Sequence, residues 1–158
     1  MSDSHQQFMQ LAINLAAENV EKCFGGPFGA VVVKDGEIIA ASANTVTATN
    51  DPTAHAEIAA IRLACQKLNT YNLEGCVIYA SCEPCPMCLS AIYWARIGQV
   101  YYSCTKEDAA DAGFDDAFIY EQMSLAPRKR NVEFIQLMRQ ESQTAFEQWK
   151  KAETKEKY

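Results

Sequence analysis

CVIYASCEPCPMCLSAIYWARIGQVYYSC, residues 76–104, reads as a strand, a helix and a second strand. Cys76 to Ala80 is a short apolar run of strand-forming residues, and Gln99 to Cys104 is another. Between them Pro84 and Pro86 mark a helix start, because an N–H in the first helical turn has no intrahelical partner to lose. A strand that crosses over through a helix to the next strand pairs with it in parallel. This stretch therefore predicts an α/β fold. It also places two thiols, Cys85 and Cys88, three residues apart on one face of the helix at its first turn. Thiolate is the form of cysteine that binds metal, and a helix N-terminus favours it. Cys82-Glu83-Pro84-Cys85 forms a second C-x-x-C pair, but Cys82 precedes both prolines at a strand end and is read as a neighbour of the site.

Two thiolates need a third ligand to make a zinc site. The chain has two histidines, His5 and His55. His5 sits in a polar N-terminal stretch. His55 lies in DPTAHAEIAAIR, where Asp51 or Thr53 could cap a helix and Pro52 marks its entry. Glu57 follows two residues later. Residues two apart do not share a helix face, so His55 and Glu57 converge only on a point off the helix N-terminus. Cys85 and Cys88 point the same way from theirs, so two helix starts would face one ion. Together the residues spell H-x-E and P-C-x-x-C, which resembles the signature of the zinc nucleoside and nucleobase deaminases. Three protein ligands leave one zinc position open, as in catalytic sites. Glu57 remains as an acid that binds no metal.

Length and composition bound the rest. A chain of 158 residues suits one well-cored domain. Hydrophobic residues at 49% and charged residues at 22% are the balance of a globular protein. No apolar run approaches a membrane span. The opening MSDSHQQF has neither a basic region nor an apolar core, so no secretory signal is expected, the seven cysteines are expected to be reduced, and a cytoplasmic location follows. A net charge of −6 disfavours a phosphate backbone as partner. The one dense basic cluster, Arg128-Lys129-Arg130, reads as a solvated loop.

Along the chain, Phe8, Leu11, Ala12, Leu15 and Ala16 recur at helical spacing and predict an amphipathic helix over about 5–22. Gly25-Gly26-Pro27 forces a turn. Phe28 to Val33 and Ile38 to Ala43 read as strands joined by a tight hairpin at Asp35-Gly36. The first of these is apolar almost throughout, which predicts burial on both faces and helices on both sides of the sheet. Asn44 ends the second strand, and the His55 helix should cover about 53–67. Residues 105–122 read as helical segments interrupted at Gly113. Val132 to Leu137 reads as a fifth strand, parallel to the fourth. A last helix begins near Ser142 with Phe146 and Trp149, and KKAETKEKY reads as a frayed tail. The expected sheet is mixed and five-stranded, within one domain spanning 1–158.

Beyond the zinc signature, GGPFGAVVVKDG, Asn44, NDPTAHAEI, SCEPCPMC, AIYWAR, AGFDDAFIY and Tyr158 together resemble the bacterial guanine deaminases of the cytidine-deaminase fold. The resemblance spans nearly the whole chain. It implies a three-layer α/β/α sandwich around a five-stranded mixed sheet, a homodimer that exchanges a C-terminal segment of about 140–158, and hydrolysis of the purine base guanine to xanthine and ammonia. It places one Zn2+ on His55, Cys85 and Cys88 and the proton shuttle on Glu57. Purine recognition falls on Asn44, Asp116 and Tyr158, with Ala56 beside the base and Phe28, Phe114 and Trp94 as aromatic walls. Asp116 is also implied in proton delivery to the leaving amine. From the residues alone, Asp116 has an alternative reading as a helix cap before AFIYEQM, with Asp115 as its rival, and the aromatics read equally as core packing. Rival functions are a tRNA adenosine deaminase, a cytosine deaminase and a non-enzymatic structural zinc protein.

Overall fold

The computed structural model describes residues 2–158. One compact unit ends at Asp116 and a second comprises Ala117–Tyr158. The first opens with α1 (Ser2–Glu21), then strands β1 (Gly29–Lys34) and β2 (Glu37–Ala43). Asp35 and Gly36 join the two strands, both at positive φ (51° and 80°). A two-residue hairpin turn of this kind matches the twist of the flanking strands. A short helix α2 (Val46–Thr49) precedes α3 (Ala56–Leu68), β3 (Cys76–Cys82), α4 (Pro86–Trp94), β4 (Gln99–Cys104) and α5 (Lys106–Asp111).

The sheet order is β2-β1-β3-β4. β1 pairs antiparallel with both β2 and β3, and β3 pairs in parallel with β4 across the α4 crossover, as residues 76–104 predict. Successive side chains of a strand face opposite sides, and β1 divides its valines accordingly. Ala30 and Val32 pack with Ala56, Ala60, Ala64 and Ile92 of α3 and α4 on one face. Val31 and Val33 pack with Ala12 of α1 and Tyr79 on the other. Helices thus cover both faces, which gives the three-layer α/β/α arrangement. His5 belongs to this second face: its Nδ1 lies 2.6 Å from the Tyr79 hydroxyl, and its ring lies against Tyr101.

The expected fifth strand is not formed: the sheet has four strands among the described residues. Residues 132–137 belong to the second unit, where they run without strand pairing and with exposed apolar side chains. The β-branched and aromatic composition of this run describes a chain that fits a pleated, half-buried surface. Composition cannot supply the neighbouring strand that completes the ladder. The second unit otherwise holds α6 (Ala117–Ser124), a 3-10 turn at Pro127–Lys129 and α7 (Arg139–Lys151). Its basic cluster is not wholly solvated. Arg130 Nε donates to the carbonyls of Gln122 and Leu125, and its guanidinium lies 4.9 Å over the Phe134 ring.

Candidate metal centre and active site

All three ligands stand at helix starts, as the sequence requires, but two of them, His55 and Cys85, are caps, and only Cys88 lies in the first turn of its helix. His55 is the N-cap of α3, with φ −68° and ψ 154°, and Cys85 is the N-cap of α4, with φ −65° and ψ 169°. Pro86 then occupies the first turn of α4. Asp51 and Thr53, the expected caps, instead form a local turn in which Asp51 Oδ1 accepts from the Thr53 amide and hydroxyl. This turn ends the preceding loop and leaves the cap position to His55. Extended backbone at a cap turns the side chain off the helix end, which lets both caps face one point.

His55 Nδ1 lies 3.5 Å from the sulfur of Cys85 and 3.5 Å from that of Cys88. The three donor atoms all fall within 4.8 Å of one another. Ordinary Zn–S and Zn–N bond lengths in a tetrahedron put a sulfur and a nitrogen ligand about 3.5 Å apart. The donor set therefore fits zinc in size and in chemistry. Its electrostatics agree. Cys85 is held down to about 4, chiefly by the hydrogen bond from the Cys88 thiol, with His55 also contributing. Cys88 is pushed strongly upward by the same partner and by burial. The His55 pKa is raised, first by its bond to Cys85. A negative charge thus concentrates where a cation would take up both sulfurs.

Glu57 is the second residue of α3 and is 7% exposed. Burial raises its pKa, partly opposed by a backbone hydrogen bond and by His55. A carboxyl poised above its ordinary range beside a metal site has the character of a proton carrier. Cys82 stands outside the cluster: its thiol donates to the Thr105 carbonyl, and burial pushes its pKa up to about 11.

Residues 2–104 match the model of the cytidine and deoxycytidylate deaminase zinc-binding region. The chain belongs to this deaminase family. It is 50% identical over 155 residues to a guanine deaminase of Bacillus subtilis, covering 98% of this chain and 99% of that one. The X-ray structure of guanine deaminase from Bacillus subtilis superposes with a TM-score of 0.95 at 51% identity, covering 98% of each chain. A tRNA-specific adenosine deaminase of Aquifex aeolicus is 46% identical over 98 residues, 62% of this chain and 64% of that one.

The remaining expected residues fall into two groups. Ala56 is fully buried between His55 and Glu57. Asn44 follows β2, only 5% exposed, and its backbone is tied to the ligand loop because the next amide, of Thr45, donates to the Ala54 carbonyl. Phe28 and Phe114 meet edge to face at 5.0 Å. The Asp116 pKa is raised by burial and then by the charge of Cys85, so its carboxyl senses the metal cluster. Trp94 is not gathered with them. It ends α4, the helix that Cys85 begins, about 13 Å along the axis, and it is 70% exposed. Tyr158 belongs to the second unit and is exposed. An apolar cavity of about 360 Å³, lined by Phe28, Phe114, Cys82 and residues of α1 and α5, includes none of the metal ligands.

Sequence reasoning missed Asn19. This buried residue of α1 donates from Nδ2 to the carbonyls of Gly26 and Asn44, each at 2.8 Å. A signal was present. Asn19 continues the stripe of Phe8, Ala12 and Ala16 that faces the sheet, and a polar residue on a buried stripe needs a partner.

Proposed function

We propose that the protein hydrolyses guanine to xanthine and ammonia, with one zinc ion per chain held by His55, Cys85 and Cys88. The observation that carries this reading is the likeness to the Bacillus subtilis guanine deaminase, which runs almost end to end. The likeness to the tRNA adenosine deaminase covers a smaller part of the chain. The acidic balance of the chain, net charge −6, further favours a free base over an RNA loop.

When bound, zinc supplies the Lewis acidity that makes water nucleophilic near neutral pH. The chain's residues do the rest. Glu57, buried beside the cluster, takes a proton from the attacking water and delivers it to ring N3 as the new C–O bond forms at C2. The remaining proton of that water, now on the oxygen added to C2, then passes to the exocyclic nitrogen with Asp116 assisting, the C2–N bond breaks, C2=O forms and ammonia leaves. Asn44 binds the purine edge, while Ala56, Phe28 and Phe114 pack on the base. The purified protein with zinc should release ammonia from guanine far faster than from cytosine, adenine or an adenosine-bearing anticodon loop. Faster turnover of any of those three overturns the reading.

We also propose that the protein is a homodimer whose C-terminal segment, about 140–158, is exchanged so that Tyr158 closes the partner's site and keeps water from it. The exposed apolar residues of the second unit support this, as does Tyr93 on α4, which is exposed as well. Sedimentation at micromolar concentration should give twice the chain mass. A cytoplasmic location fits seven cysteines that are all unpaired, and alkylation of intact cells before lysis should find every thiol reduced.

A further inference from the structure

Two backbone amides, those of Gly26 at 3.3 Å and Val46 at 3.1 Å, donate to the same side-chain atom of Asn44. An atom that receives two N–H groups must be the carbonyl oxygen, so the amide of Asn44 has one orientation and its NH2 group faces away. That Nδ2 has no acceptor among the described residues, and no fully buried side-chain polar atom in them lacks a partner. The NH2 therefore opens to solvent as a donor waiting for an acceptor.

The backbone that fixes this orientation is held by Asn19. The two hydrogens of its Nδ2 go to the carbonyls of Gly26 and of Asn44 itself, 2.8 Å each. One side chain of α1 thus staples the glycine turn to the residue that the turn orients. The approach is close: a Cβ on Gly25 would lie 2.3 Å from the Asn44 carbonyl oxygen and 2.7 Å from its Oδ1. Asn44 is held on its remaining side by its own N–H, which donates to the Phe28 carbonyl.

We infer that Asn19 is a positioning residue for substrate recognition: by clamping Gly26 to Asn44 it locks the Asn44 amide with its NH2 outward, so that the site demands an acceptor on the purine edge. Asn19 touches no substrate and acts only through Asn44. Without the clamp, the Gly26 amide loses its fixed place and the Asn44 side chain can rotate by half a turn, presenting an acceptor where the ligand also presents an acceptor. The inference rests on the reading of Asn44 as a purine contact.

The test uses the full-length, zinc-loaded protein carrying Glu57→Gln, which silences turnover, and measures guanine affinity in a double-mutant cycle of Asn19→Ala and Asn44→Ala. Asn19→Ala should raise Kd about tenfold or more, the scale of one mispaired buried hydrogen bond. In the Asn44→Ala background it should change Kd by less than about twofold, because a residue acting only through Asn44 has nothing left to act on. Zinc content should stay at the parent level in all four proteins. Asn19→Ser, which keeps one donor, should fall between and replaces Asn19→Ala if that variant is insoluble. Equal Kd in the Asn19 variant and its parent, or an equal rise in both backgrounds, overturns the inference. Failure of the parent to bind guanine at all would instead sink the purine reading. A ligand-free measurement then decides the clamp by itself: the side-chain NH2 signal of Asn44 should be rigid on the nanosecond scale in the parent and mobile in Asn19→Ala, and unchanged rigidity overturns it.

Discussion

The sheet unit and the segment Ala117–Tyr158 carry similar apolar residues to opposite effect. Val31, Val32 and Ile78 are fully enclosed between helices, whereas Val132, Ile135 and Leu137 expose 72%, 75% and 78% of their surface. Neither α6 nor α7 has a buried residue. Covering a side chain of this size contributes about 1.5–3 kcal/mol, so the first unit is stabilised by its own packing while the second leaves that free energy unrealised. The difference separates two kinds of sequence signal. One finds its complement within the chain and folds as read; the other describes a surface whose complement lies elsewhere. Every residue of the metal cluster belongs to the first kind.

The largest expected effect tests whether the metal cluster and Glu57 of the first unit carry the chemistry. Glu57→Gln should retain zinc and lose turnover by about 10⁴-fold or more, at the upper end for an essential proton carrier. Cys88→Ala should lose both, because a ligand with no exposed surface cannot be replaced by solvent. Metal analysis beside an ammonia assay reads both outcomes, and full activity in Glu57→Gln would sink the assignment.

Next in size is a restoration that only the second unit can supply. One inactive variant carries Glu57→Ala with its tail intact, and another keeps Glu57 but lacks residues 155–158. If Tyr158 acts across the dimer, mixing them under subunit exchange should restore about one site per heterodimer. Activity no greater than that of the separate parents would mean that the tail acts within its own chain or not at all.

A smaller effect compares the two units by stability. Ile78→Ala opens a hole in a sealed core and should cost about 2–5 kcal/mol. Ile135→Ala should change the stability of the monomer by less than about 0.5 kcal/mol, the usual range for exposed sites. Denaturant melts at low protein concentration measure both. If Ile135→Ala becomes costly as concentration rises, the missing cover of the second unit is another copy of the chain. Equal costs for the two substitutions at low concentration would contradict the contrast itself.

The same division explains what was legible in the sequence. The hairpin at Asp35-Gly36, the parallel crossover of residues 76–104 and the gathering of His55, Cys85 and Cys88 depend on local backbone chemistry and on a hydrophobic period that the chain satisfies by itself. Residues 132–137 carry an equally good strand signature, but pairing is a property of two strands, and periodicity in one says nothing of the other. Asn19 was hidden for a different reason. A helical asparagine is usually solvated, and its value here comes from two carbonyls that lie 7 and 25 residues away in sequence. The cap positions were blurred by the competition between Asp51, Thr53 and His55, any of which suits a helix entry by type.

Arg130→Lys should have the smallest effect, and it asks whether the second unit has any order of its own. Read from sequence, Arg128-Lys129-Arg130 is a solvated basic loop, and on that reading exchanging one cation for another changes nothing. In the structure the Arg130 Nε donates to the carbonyls of Gln122 and Leu125 at 3.1 and 3.2 Å, while the guanidinium covers the Phe134 ring. The Asn131 amide adds a bond to the Gln122 side chain. Lysine keeps the charge but lacks both the Nε–H that serves two acceptors and the flat face that stacks on an aromatic ring. The expected loss is about 1 kcal/mol, confined to residues 117–134. Amide hydrogen exchange measures it residue by residue: protection should fall around 125–131 and stay unchanged in β1 and β3. Unchanged protection near 130 would return the cluster to the solvated loop of the sequence reading. Equal loss in β1 would mean that the two units share one cooperative core, and the contrast between them would have to be abandoned.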